Sequence, residues 1–325
     1  MQGVLVSAVL TVHLLCMNLA SGGPLFCIWL RRGGKEIDDA RARAARALAW
    51  FAVWALLMGM LTGGGLLLLP QSSALRGAMA RFPDRAWSIA GAELLFSAIC
   101  LCAYAGLGQR AARWRWAHAL IALSSTTNLL YHFPPLMSVL GRLATDPSWV
   151  EAAVIDRQSF VPLMVRGEVL SLSVHFGLAS LAVAAVVLIV LLTRQEALAA
   201  QETKLKSCRV AAAVGLLATL AQLPVGIWVL ATLPGPARGI LMGESPLASI
   251  LLLASLLTSM ILLQGLMKVA LGDFDDQHCR RVGWLLIFVV WMMTTTLQLT
   301  RSTARVSAAR YETGHAIEIS RVASP

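Results

Sequence analysis

SLSVHFGLASLAVAAVVLIVLLT, residues 171–193, decides the fold. The stretch holds no Asp, Glu, Lys or Arg, and its one ionisable side chain is His175. About 20 mostly apolar residues suffice to cross the hydrocarbon core of a bilayer as a helix. The same pattern recurs on either side, at 3–30, 47–69, 87–108, 117–139, 163–193, 210–233, 246–271 and 283–300. Eight transmembrane helices joined by short loops are expected, an all-α polytopic bundle.

Composition agrees. Of 325 residues, 58% are hydrophobic and 14% charged. Soluble domains are about half apolar and a quarter charged, so a soluble enzyme is excluded. The net charge of +10 does not point to nucleic acid, because the basic residues lie between long apolar runs. The N-terminus, MQGVLVSAVL, has no basic leader and is read as a helix of the mature protein, not a signal peptide. The six cysteines form no CxxC or CxxCH, which leaves a disulfide framework, a thiol redox site and c-type haem attachment without support.

Basic residues orient the bundle. With the N-terminus outside, the loops after spans 1, 3, 5 and 7 and their flanks carry 16 of the 27 Lys and Arg residues, so the N- and C-termini are expected outside. Residues 1–195 are expected to form a five-helix bundle, and 196–300 three further helices. The polar tail, 301–325, is expected to be partly disordered. The 140–162 connection is expected to be a solvated loop, with a docking surface as the alternative. Small residues are frequent in spans 2 and 5 (Gly63 to Gly65, and Ala179, Ser180, Ala182, Ala184, Ala185), where they suit close packing of helices or of a flat prosthetic group.

Ionisable residues are costly inside a bilayer and mark candidate sites. They are His13, Glu93, His118, His132, Glu168 and His175; all but His118 fall in the outer half. His132 sits just before Phe133-Pro134-Pro135, expected to break the helix. Glu168 and His175 are two turns apart on one face, about 10 Å. Imidazoles gathered with carboxylates in a dry helical bundle suit b-type haem, held by axial His ligands from facing helices. His13, His175 and His132 are the candidate iron ligands. Glu93 and Glu168 are the candidate proton-handling residues. His118 lies 14 residues before His132 on nearly the same face, about 21 Å away, a spacing that suits a second haem. It also follows Trp114-Arg115-Trp116, as an interfacial residue would. A transition-metal site of His13, His132 and His175 is chemically allowed, as is a proton relay for transport. No inverted repeat with broken helices supports transport.

The order of these features resembles subunit I of cytochrome bd-type quinol oxidases, over about residues 8–195. His13 is followed by Ser21-Gly22-Gly23-Pro24 and Trp29-Leu30-Arg31-Arg32-Gly33. Span 2 reads Trp50-Phe51-Ala52-Val53-Trp54 and runs through Gly59 to Thr62-Gly63-Gly64. Glu93 is in span 3, His118 and a Ser124 to Asn128 polar run in span 4, and Val174-His175-Phe176-Gly177 in span 5. The resemblance implies that His13 ligates an active-site haem near the outer surface, that His175 ligates a low-spin b haem, and that Glu93 lies beside the haems. It implies one or two haems b, quinol as substrate, a partner subunit or c-type cytochrome at the outer face, and a bacterial inner membrane.

The sequence departs from that family in three places. The connection between spans 6 and 7 is only about residues 234–245, Met260 and Met267 lack the family's surrounding pattern, and Glu93 is the only acid of span 3. A shortened, electron-transferring b-type cytochrome is therefore expected. The alternatives are an oxygen-reducing oxidase subunit and a non-haem structural or transport subunit.

Overall fold

The structure is a computed structural model that describes residues 2–32, 39–69, 73–107, 115–194, 201–273 and 275–322. Among the described residues there is no strand. The long helices are α1 (Gln2–Leu30), α2 (Asp39–Leu68), α4 (Asp84–Leu107), α5 (Arg115–Thr145), α7 (Gly167–Thr193), α8 (Gln201–Thr232), α10 (Pro246–Leu271) and α11 (Asp276–Val322). Short helices α3 (Ser73–Met79), α6 (Arg157–Met164) and α9 (Gly235–Gly239) lie in the connections. Seven of the long helices are both long and apolar enough to cross a membrane. The chain is an integral, multi-pass membrane protein.

The eighth, α5, qualifies by length alone. Its 31 residues extend about 46 Å, but His118, Ser124 to Asn128 and His132 lower its hydropathy. Ser125, Thr126 and Asn128 turn toward α1 and α4, where Thr126 donates to the Ser21 carbonyl and Ser125 to the Ser97 carbonyl. A polar helix is tolerated in a bilayer when its polar face finds partners inside the protein.

α1 is the hub, packed against α2, α5, α7 and α11. Small residues let it be surrounded. A Cβ on Gly22 would overlap the Ser180 carbonyl of α7, and Gly23 faces Ala52 of α2. Ala184 meets Gly22 at this seam, Ala185 meets Gly215 of α8, and Ala182 is buried as well, so helix packing is what the small residues of α7 do. One core runs from Leu19 through Leu48, Leu101 and Leu188 to Leu266 and Val282, drawing on both the first five spans and the last three. The large side chains left outside it, such as Trp54, Leu61, Leu95 and Ile227, are exposed and face lipid.

Three expectations are corrected. The Phe133-Pro134-Pro135 stretch does not end its helix. α5 continues to Thr145, and Leu136, Val139, Leu140 and Leu143 anchor it in a second core with Phe82, Ile155 and Leu163. For the same reason the 140–162 segment is an ordered cap and not a plain loop, although residues 151–154 and 156–158 are exposed. Arg81 grips the carbonyls of Pro147, Val150 and Ala152, and Ile155 N–H donates to the Arg81 carbonyl at 2.7 Å. The polar tail continues α11 as helix to Val322. Its Ala, Arg and Glu residues favour helix, and no proline interrupts before Pro325.

Candidate functional site

Contacts between helices fix the depth of each candidate residue. Thr126 of α5 meets Ser21 of α1 at 2.9 Å, so His132, six residues further along the antiparallel α5, is level with about residue 15 of α1. On α7, Ser180 Oγ donates to Asn18 Oδ1 at 2.9 Å, and Gly22 fits against Ser180 and Ala184. The two helices run parallel, so His175 is also level with about residue 15. His13, His132 and His175 therefore share one layer, within about 5 Å along the helix axes.

Each imidazole has a different setting. His13 Nδ1 lies 2.9 Å from the Gly59 carbonyl and 3.5 Å from Thr62 Oγ1. A Cβ on Gly63 would press on its ring. Gly63 thus opens a slot on α2 that takes the ring edge beside the Gly59 carbonyl, Gly59 itself making room for Met17, and Nε2 is left without a hydrogen bond among the described residues. The Gly-x-x-x-Gly spacing from 59 to 63 was the sequence signal for that slot, since it puts both glycines on one face.

His132 faces α4, with Nδ1 2.9 Å from Glu93 Oε2. The two are in ion-pair contact but are not aligned as a hydrogen bond. Asn128 holds the same seam: its Nδ2 donates to the Glu93 carbonyl at 2.8 Å and to Ser97 Oγ at 2.9 Å. His175 is the exception, because its Nδ1 is buried with no hydrogen-bond partner.

The other two candidates lie elsewhere. His118 is buried, stacked on the Tyr104 ring at 3.9 Å, and its Nε2 is 2.9 Å from the Tyr104 carbonyl. It ties α5 to α4 and does not sit at an open interfacial boundary. Glu168, in the first turn of α7, has both oxygens engaged. Arg142 Nε donates to Oε2 at 2.8 Å and Trp149 Nε1 to Oε1 at 3.0 Å. It anchors the folded 140–162 cap, away from the histidine layer.

Among the described residues no three His, Cys, Asp or Glu side chains gather as a metal-binding group. The transition-metal site of His13, His132 and His175 is therefore not formed: His13 faces α2 and His132 faces α4. The six cysteines are free, with Cys27, Cys100, Cys208 and Cys279 buried.

The layer is a set of imidazole donors with an acid partner inside an apolar bundle. Its donor chemistry fits haem at two positions. His13 has the ligand arrangement in which one ring nitrogen is held by a carbonyl and the other is left for a metal, and His175 has a buried nitrogen that nothing satisfies. No protein-family model matches this chain, and no curated protein matches its sequence.

Proposed function

We propose that the chain is a b-type cytochrome subunit of the bacterial inner membrane, resembling a shortened cytochrome bd oxidase subunit I, that passes electrons between quinol and a redox partner at the outer face. The observation that carries this reading is the unpartnered, buried Nδ1 of His175, level with the slotted ring of His13. An unsatisfied buried polar nitrogen costs about 1–3 kcal/mol, and a protein that keeps one has a use for it.

His13 and His175 would hold haem, which supplies reversible one-electron transfer when bound. The residues around it have separate tasks. Gly59 and Thr62 hold Nδ1 of His13, which fixes the ring plane and directs Nε2 away from α2. Gly63, with no side chain, leaves the room that ring needs. Glu93, against His132, balances charge and exchanges a proton at Oε2 as electrons arrive and leave. The surrounding Leu, Val and Ala side chains exclude water, which strengthens each of these interactions.

The test is a reduced-minus-oxidised spectrum of the purified full chain, from haem-supplied cells, with haem counted per chain. A sharp b-type α band that His175→Ala abolishes is the expected result. A band unchanged in content and shape in His175→Ala overturns that ligand, and an empty spectrum overturns the haem reading. Carbon monoxide binding to the reduced protein separates an oxygen-reducing centre, with its open iron, from a closed electron carrier. The His132–Glu93 pair is the observation that favours proton-coupled transport, the reading an empty spectrum would leave.

A further inference from the structure

The seam between α1 and α5 is closed at one end and open at the other. It is closed where Thr126 bonds to Ser21. From there toward the Arg-rich end the helices part, and a groove of about 610 Å³ follows the same antiparallel register. Its rungs are Leu25 with Leu123, Ile28 and Trp29 with Leu120 and Ala119, and Arg32 with Trp116. The volume is within the ~300–1,000 Å³ range of ligand sites. Nearly all of the wall is hydrocarbon or indole, and the one charge is at the end.

The groove wall is preformed. Trp29 packs edge-on against Phe26 at 6.4 Å, and the Arg41 guanidinium lies 5.5 Å over its ring while donating to its carbonyl. Tryptophans at this position mark the level of lipid headgroups. Arg31 follows Leu30 at the same end of α1.

We infer that this groove is a binding site for one anionic phospholipid, its acyl chain lying along Leu25, Ile28, Leu120 and Leu123 and its phosphate on Arg32. A quinone headgroup is neutral and would find little to bond to on these walls, whereas a phosphodiester matches a guanidinium at the mouth of an apolar slot. Arg32 is exposed and has five N–H donors, enough to take a phosphate oxygen beside another partner. The site is separate from the histidine layer and does not depend on haem.

Native mass spectrometry of the full chain tests it, after exchange into mixed micelles holding equal phosphatidylglycerol and phosphatidylcholine of identical acyl chains. One phosphatidylglycerol should stay bound in preference. Arg32→Gln should lower that preference about fivefold, Arg32→Lys should keep much of it, and Leu120→Trp should fill the groove and remove the bound lipid. Both residues are exposed, so the variants should fold. Equal retention of the two lipids, or a preference unchanged in Arg32→Gln, overturns the site in favour of ordinary boundary lipid. Loss of co-purifying quinone in Leu120→Trp with phosphatidylglycerol unchanged overturns it in favour of a quinone.

Discussion

His132 Nδ1 and Glu93 Oε2 are 2.9 Å apart across the α4–α5 seam, and Asn128, one turn from His132, fastens to the carbonyl of that same glutamate. The pair is partly buried, at 20% and 32% side-chain exposure. The contact brings an acid and a base from two helices together at the level of His13 and His175, and it does so in a medium where neither would remain alone. Glu93 and His132 should therefore behave as a unit. A double-mutant cycle of Glu93→Gln and His132→Gln, read by thermal unfolding in detergent, should give a coupling of about 0.5–3 kcal/mol. Additive effects would show that the contact is incidental. In a haem-loaded protein Glu93→Gln should leave haem content intact and slow turnover.

His118 offers a contrast with His175. Its Nε2 is already placed on the Tyr104 carbonyl, and its ring stacks on the Tyr104 ring. His118→Ala should cost about 1–3 kcal/mol through the lost bond and contact while leaving haem content per chain unchanged. Loss of a haem in His118→Ala would restore it as a ligand.

Three glycines should respond differently to the same methyl group. Gly22→Ala places a Cβ on the Ser180 carbonyl, a backbone group that cannot move aside, and should destabilise by about 1–3 kcal/mol or more. Gly63→Ala presses on His13, with the Cβ 2.8 Å from Cε1, and should shift the absorption band of any haem held there more than it shifts the melting temperature. Gly64→Ala has nothing within 4 Å of its Cβ and should be neutral in both measurements.

The folded 140–162 cap should loosen in acid. Hydrogen bonds from Ser148, and then the charge of Arg142, hold the Asp146 carboxyl below the usual aspartate range. A carboxyl lowered in the folded state contributes stability above its ordinary value of about 3.9, and that contribution is lost as pH falls through the lowered value. The protection factors of residues 146–156, their exchange rates divided into the intrinsic rate at the same pH, should therefore be level above about pH 4 and fall below it. Ser148→Ala should flatten that fall, because the Asp146 carboxyl then returns toward its ordinary value. Glu168→Gln should raise exchange in the same residues and leave turnover unchanged, since Glu168 serves Arg142 and Trp149.

Much of the architecture was legible in the chain. Hydrophobic stretches of spanning length are a one-dimensional property, and seven of the eight stretches read from sequence became helices that meet the same criteria in the structure. The ends were less legible. Phe133-Pro134-Pro135 looked like a stop because a proline lacks its N–H, yet the apolar anchors Leu140 and Leu143 carry α5 past it. The cap of residues 146–156 was invisible in sequence, because it depends on Arg81, more than sixty residues away, reaching three of its carbonyls.

Sequence by itself determined that this protein crosses a membrane several times, and it placed five ionisable residues toward one end of the bundle. Depth follows from counting residues along a helix whose rise is fixed. The tertiary structure alone decided which of those residues belong together. It seated His13 on Gly63 beside the Gly59 carbonyl, joined His132 to Glu93, sent Glu168 to Arg142 and Trp149, and left one nitrogen of His175 without a partner. The reason is physical. In a lipid-facing bundle both faces of a helix are apolar, so periodicity does not say which face turns inward. Rotation about each axis is set by close approaches such as Gly22 on Ser180, and these appear only when two distant segments meet.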